Sequence, residues 1–165
     1  MQNNPKIVLQ PSRVLTCLHL LGAALLVGTF VYIIIMYQDL PKRVPIHFNM
    51  KGEVDGWGNK ATLFAIPLTI IPAFAVLFFL SRVPHTFNYS VKVTEENAPR
   101  LYHEMRLFVA WFNVEIAALM AFISIESIQL AKGNHVPYSG WVIGGFIFLM
   151  LLQVVMLIIR MRRLK

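Results

Sequence analysis

The stretch VLTCLHLLGAALLVGTFVYIIIMY, residues 14–37, contains no Asp, Glu, Lys or Arg. A helix needs about 20 consecutive apolar residues to cross about 30 Å of hydrocarbon. A helix of a soluble protein would instead alternate its apolar positions with polar ones. The stretch therefore predicts a membrane-spanning helix near the start of the chain.

Three further apolar runs follow, at residues 61–80, 107–130 and 141–159. The 165-residue chain is 57% hydrophobic and 14% charged, whereas soluble domains usually carry about a quarter charged residues. We therefore predict an all-α fold, a four-helix transmembrane bundle with a short structured extracytoplasmic loop between helices 1 and 2. The length allows one integral membrane domain covering residues 1–165.

Local signals refine two of these helices. Pro67 and Pro72 lie inside the second run and predict a bend there, because each proline removes a backbone donor. Asn97 followed closely by Pro99 is typical of a helix start. The third helix is therefore expected to begin before its apolar run.

The basic residues flank the apolar runs and give a net charge of +7. This placement favours contact with lipid headgroups over contact with nucleic acid. Ten Lys and Arg residues lie in the two tails and the middle loop, and five lie in the other two loops. Because basic residues are retained on the cytoplasmic side, we expect a multi-pass protein of the cell membrane with both termini cytoplasmic.

The loop at residues 37–60 reads YQDLPKRVPIHFNMKGEVDGWGNK. Pro41 and Pro45 force the residues before them into extended conformations. Alternation after Pro45 would place Ile46 and His47 on opposite faces of a strand-like stretch. The loop thus predicts an extended segment rather than a helix.

The second half of this loop is rich in residues that favour turns. Gly52 and the pair Asp55-Gly56 are predicted to form turns, and Asn59 is predicted to cap the second helix. We therefore predict a small hairpin-like element over the outer mouth of the bundle, with Trp57 at the membrane interface.

An ordered string of residues in the loop resembles a known family signature. The string consists of Leu40, Pro41, Val44, Pro45, His47, Phe48, Asn49, Gly52, Asp55, Trp57, Gly58 and Lys60. It resembles the signature of the bacterial membrane domain-of-unknown-function family 1648, which also forms the N-terminal part of the SdpI-type immunity proteins. The resemblance implies a bacterial plasma-membrane protein, with toxin immunity or signalling as the role of its best-known relatives.

The loop is open to several functional interpretations. Its prolines, glycines and capping asparagine suit any tight loop, so a structural role alone is one interpretation. A second is a surface that contacts a peptide toxin, a lipid or a membrane-protein partner. A third is a divalent cation held by His47, Glu53 and Asp55, but their spacing matches no metal motif. We assign no metal and no cofactor.

The third run carries acidic residues at regular spacing. Glu104, Glu115 and Glu126 are eleven residues apart, so they share one stripe of a helix, roughly 33 Å long. Charged groups inside a membrane point into the bundle or a wet cavity. His19 and Gln153 are predicted to lie within reach of Glu115. The stripe is either a proton or cation path, or a set of hydrogen bonds that ties the helices together.

The sequence offers no catalytic residues. It has no Ser or Cys nucleophile beside a base, no metalloprotease helix motif and no glycine-rich phosphate loop. We therefore expect a non-enzymatic binding or immunity-type membrane protein. The alternatives are a small ion-coupled transporter, which would require a homo-oligomer to enclose a pore, and an accessory subunit of a larger membrane complex.

Overall fold

The computed structural model describes residues 4–49, 51–134, 136 and 139–164. Within them the chain forms the α-helices α1 (Arg13–Met36), α2 (Ala65–Leu80), α3 (Ala98–Ala131) and α4 (Ser139–Arg163). Together with the 3₁₀ helix Lys60–Phe64 that precedes α2, these helices provide four segments long and apolar enough to cross a membrane. The prediction of four spans is therefore confirmed in the length and apolar composition of the helices. Met50 belongs to the predicted loop but lies outside the described residues.

The loop between α1 and α2 contains a two-stranded antiparallel sheet, formed by β1 (Arg43–Phe48) and β2 (Val54–Asn59). The predicted hairpin-like element is therefore confirmed, and the all-α assignment has to be corrected to include a small sheet. The physical reason is that extended segments next to each other pair their backbone donors and acceptors. We call β1, β2 and the turn between them the hairpin.

The long helix α3 is the centre of the bundle. It packs against α1, α2 and α4, and β1 lies against it at the end that carries the hairpin. Among the described residues α4 packs chiefly on α3, and most of its large apolar side chains are exposed, including Trp141 at 83%. The face of α4 that points away from α3 is therefore suited to lipid or to another protein.

The predicted helix starts are confirmed in position. Asn59 precedes the 3₁₀ segment of α2 and its side chain accepts a hydrogen bond from the Ala61 amide at 2.9 Å. Asn97 precedes α3, but its side chain accepts from the Thr94 amide at 2.8 Å and not from the helix. Pro67 and Pro72 both lie within α2, and the bend expected there stays a prediction.

Residues 4–12 and the last described residues meet at one end of the bundle, which we call the tail end. Residues 4–12 pack there against the start of α3 and the last turns of α4. The Tyr102 hydroxyl donates to the Pro5 carbonyl at 2.7 Å, and Met161 of α4 joins the same buried cluster. The buried Tyr89 hydroxyl donates to the Pro84 carbonyl at 2.8 Å. Burial raises the pKa of Tyr89, and the neighbouring Tyr102 raises it further.

Candidate functional site

The hairpin is anchored to the bundle by buried apolar side chains. Val44 of β1 is fully buried and packs with Ile33 of α1 and Ile128 of α3. Leu40, which is extended before Pro41 as predicted, belongs to the same cluster. Because this cluster joins three elements of the bundle, the hairpin is held in one position.

A first register shift changes the outward face of β1. Pro45 lies opposite Trp57 and His47 lies opposite Gly56, so Ile46 is an extra residue on β1. Such a bulge interrupts the alternation of side chains along a strand. Ile46 and His47 are both exposed, and the regular alternation predicted after Pro45 is interrupted at this bulge.

A second register shift occurs on the facing strand. His47 lies opposite Gly56 and Phe48 lies opposite Val54, which makes Asp55 the extra residue of β2. Nδ1 of His47 lies 2.5 Å from Oδ1 of Asp55. A Cβ at Gly56 would lie only 2.7 Å from Cβ of His47. The pair Asp55-Gly56 therefore serves close strand pairing, and the prediction of a turn there was wrong.

The turn of the hairpin is organised by Asn49. Its Oδ1 accepts from the amides of Lys51 and Glu53 at 2.9 and 3.0 Å, and its Nδ2 donates to the Glu53 carboxylate. Gly52 has a φ of 79°, which a residue with a Cβ adopts at a cost. The predicted turn at Gly52 is confirmed, and Asn49 has a structural role.

Lys60 ties the base of the hairpin to the end of α1. Its Nζ donates to the carbonyls of Tyr37 and Leu40 at 2.8 and 3.2 Å and lies 4.5 Å from the centre of the Tyr37 ring. Lys132 at the end of α3 lies 4.0 Å from the Asp39 carboxylate. Both lysines thus bind groups at the same end of the bundle and fix the loop that leads into β1.

The outward face of the hairpin combines apolar and polar groups. Trp57 is 51% exposed and Ile46 is 43% exposed. The His47 and Asp55 side chains are also exposed and are bound to each other. We call these four residues the hairpin face.

The residues considered for a metal site do not converge. Asp55 binds His47, whereas the Glu53 carboxylate accepts from Asn49 within the turn. Across the described parts of the chain, no group of three or more His, Cys, Asp or Glu residues is arranged to hold a metal ion.

The acidic stripe of α3 faces α4 over its first half. Glu104 accepts a hydrogen bond from Arg160 at 3.0 Å, and Gln153 donates to Glu115 at 3.3 Å. These four side chains line one groove between α3 and α4, with a volume of about 350 Å³. Glu126, nearer the hairpin, is only 1% exposed.

His19 lies in a different part of the bundle. Its Nε2 is 3.4 Å from the Ser81 hydroxyl, and its ring stands edge-on to Phe78. It lines a cavity between α1, α2 and α3, whereas Glu115 lines the groove beside α4. The predicted proximity of Gln153 to Glu115 is confirmed, while His19 and Glu115 line separate spaces.

The sequence did not single out Arg82 and Arg106, which line the same cavity as His19. In the sequence, both contribute only to the number of basic residues that predicts the orientation of the chain in the membrane. The sequence feature that could have indicated their proximity is that Arg82 follows one apolar run and Arg106 precedes the next. Antiparallel helices bring such positions to the same end of a bundle.

The hairpin lies within the part of the chain that matches a known protein family. Residues 24–71 match the family described as Domain of unknown function (DUF1648), which confirms the predicted resemblance over that part of the chain. An uncharacterized protein of Archaeoglobus fulgidus is 29% identical over 86 residues, which cover 52% of this chain and 45% of the relative. The chain thus spans less than half the length of that relative. No solved structure matches the chain significantly.

Proposed function

We propose that the chain is a non-enzymatic membrane binding protein whose hairpin face recognises a peptide or a membrane-protein partner outside the cell. The observation that carries this proposal is the exposure of Trp57 and Ile46 on a hairpin that buried Val44 anchors to the bundle. Exposed aromatic and apolar side chains on a fixed scaffold are typical centres of binding energy.

The hairpin face is also suited to specific recognition. The exposed pair of His47 and Asp55 lies on the same hairpin as Trp57 and offers polar groups of defined direction. The hydrogen bonds of Asn49 and the close strand approach at Gly56 restrict the conformations of the hairpin. A preorganised surface loses little conformational entropy on binding. These features favour a partner with an apolar side chain flanked by a polar or charged group.

The partner class follows from the family resemblance. The string that resembles the signature of family 1648 lies on the hairpin and at its base. Because that resemblance implies toxin immunity as the role of the best-known relatives, a peptide toxin is the partner we propose. The distribution of Lys and Arg supports a plasma-membrane location with cytoplasmic termini, which would place the hairpin outside.

Site-specific photo-crosslinking in living cells tests the binding role. A photoreactive phenylalanine analogue at Trp57 or Ile46 should form a defined protein or peptide adduct. The same analogue at Val76 or Phe79, which are exposed on α2, should react only with lipid. If the hairpin positions also gave lipid adducts alone, Trp57 would be a membrane anchor and the proposal would fail.

Toxin protection tests the finer assignment. SdpI-type immunity proteins act against a sporulation-delaying peptide toxin. Cells that express this chain should survive exposure to that toxin better than cells without the chain. The substitutions Trp57→Ala and Ile46→Ser should abolish that protection, whereas Lys51→Ala on the hairpin turn should retain it. Equal survival with and without the chain would show that this toxin is not the partner of the hairpin.

Ion-coupled transport is a second candidate, favoured by the groove between α3 and α4. Oε2 of Glu115 and Oε1 of Gln153 are buried there and have no hydrogen-bond partner among the described residues. Buried ionisable groups in a membrane are often part of ion pathways. Because only α3 and α4 line this groove, a path along it would be completed by a second copy of the chain.

Proton flux in proteoliposomes tests this candidate. Glu115→Gln and Glu126→Gln should each abolish flux, whereas Glu95→Gln outside the apolar helices should preserve it. Absence of flux in the native chain, or native flux in both variants, would make the glutamates structural groups.

A further inference from the structure

A cavity of about 560 Å³ lies between α1, α2 and α3 near the tail end. Its two ends differ in chemistry. The end close to the tails is polar and is lined by Ser12, Thr16, His19, Ser81, Arg82 and Arg106. The end deeper in the bundle is apolar and is lined by Leu20, Ala23, Phe74, Ala75 and Phe79. The cavity is therefore amphipathic along its length.

The polar end has an excess of positive charge. No Asp or Glu lines the cavity, and neither Arg82 nor Arg106 forms an ion pair with a carboxylate in the described parts of the chain. Arg82 is exposed and Arg106 is half-buried, and an anion between their guanidinium groups would offset the repulsion of the two positive charges. The site therefore favours an anion supplied from outside the chain.

Hydrogen-bonding groups are available for such an anion. Arg106 donates from Nη1 to the Gln10 carbonyl at 3.3 Å, but its buried Nε has no partner among the described residues. The same holds for the buried Nδ1 of His19. Arg82 lies over the Phe78 ring, with its Cζ 4.5 Å from the ring centre. Stacking of this kind orients a guanidinium and leaves its N–H groups free to bind phosphate oxygens.

The whole cavity, including its polar end, is about as long as one leaflet is thick. The cavity follows α1 from Ser12 to Ala23, which is about 16 Å at 1.5 Å per residue. That is about half the 30 Å thickness of the hydrocarbon core. A chain that entered at the polar end would thus extend through one leaflet.

We propose that this cavity binds an anionic phospholipid. Arg82, Arg106 and His19 hold the phosphate, and one acyl chain lies along the apolar wall formed by Ala23 and Ala75. Basic pockets between membrane helices have the chemistry to select anionic headgroups. This site is separate from the hairpin face and does not depend on the function proposed for it.

Lipid titration of the purified, delipidated protein, followed by native mass spectrometry, tests the proposal. Dioleoyl phosphatidylglycerol should bind at least tenfold more tightly than dioleoyl phosphatidylcholine. The double substitution Arg82→Gln with Arg106→Gln should remove that preference. Arg100→Gln with Arg162→Gln is the matched control, because it removes the same charge from exposed positions outside the cavity, and it should preserve the preference.

A second variant leaves every charge in place. Ala75→Phe fills the apolar wall and should weaken phosphatidylglycerol binding at least tenfold, so it decides the matter if the arginine variant does not fold. Inorganic phosphate at millimolar concentration should not displace the lipid. Equal affinity for the two lipids, an equal loss in the control, or unchanged binding in Ala75→Phe would each overturn the proposal. Displacement by inorganic phosphate would instead assign the site to the free anion.

Discussion

Gly22 of α1 lies against the ring of Phe74 of α2, so that a Cβ built on Gly22 would be 2.6 Å from Cε2 of the ring. Gly22 is itself buried, and Phe74 lines the proposed lipid cavity. The backbone carbonyl of Phe74 also accepts a hydrogen bond from the buried Asn113 of α3 at 3.2 Å. Helices α1, α2 and α3 therefore meet at Phe74.

Replacing Gly22 with alanine should destabilise the bundle. The added methyl group forces Phe74 to move, and overpacking of this kind typically costs about 1–3 kcal/mol. Gly28→Ala, on the same helix, is the control, because its Cβ would meet no atom within 4 Å. Thermal unfolding in detergent should show a lower midpoint for Gly22→Ala only. Adding Phe74→Leu should restore stability, and a failure to do so would contradict the steric explanation.

Breaking the contact between Glu104 and Arg160 should weaken the attachment of α4 at the tail end. The Arg160 side chain is 53% exposed, so we expect a loss of only about 0.2–1 kcal/mol. Glu104→Gln and Arg160→Gln should each increase amide hydrogen exchange in the last turns of α4. Because each substitution removes the same contact, the double variant should be no worse than the single ones, and additive losses would indicate separate partners.

Asn49→Ala should open the hairpin more than Asp55→Asn does. Asn49 makes three hydrogen bonds within the turn, and losing such bonds costs about 1 kcal/mol or more. The pair of Asp55 and His47 is exposed and is expected to contribute about 0.2–1 kcal/mol. The rate of hydrogen exchange of the amides in β1 and β2 measures the effect of each substitution. Faster exchange in Asp55→Asn than in Asn49→Ala would contradict this order.

Local features of this fold could be predicted from the sequence. The four helices long and apolar enough to cross a membrane, the cap at Asn59 and the turn at Gly52 each depend on residues close together in the chain, and all three are confirmed. The bulges at Ile46 and Asp55 could not be predicted, because they arise from how two strands pair and not from the alternation within either one.

The contacts of the polar intramembrane groups were predictable only in part. The spacing of Glu104 and Glu115 fixes a common face of α3, but it does not determine which helix that face meets. The structure shows α4 there, through Arg160 and Gln153. Likewise, the convergence of Arg82 with Arg106 depends on the packing of α2 against α3, which no local pattern encodes.

Tyr89 should make stability depend on pH in the alkaline range. Burial raises its pKa in the folded chain, while an unfolded tyrosine ionises near pH 10. The neutral phenol therefore stabilises the folded state fully below about pH 10, and this contribution is lost as the pH rises further, because the unfolded state releases its proton first.

Tyr89→Phe separates this effect from general alkaline denaturation. At pH 8 the substitution should cost about 1 kcal/mol, because the Pro84 carbonyl loses its donor. Between pH 9 and pH 11 the variant should lose stability less steeply than the native chain, since it has one fewer phenol that ionises on unfolding. Thermal unfolding midpoints across this range, with phenolate absorbance recorded in parallel, provide the measurement. An identical slope in the two proteins would show that Tyr89 ionises equally readily in the folded and unfolded chains.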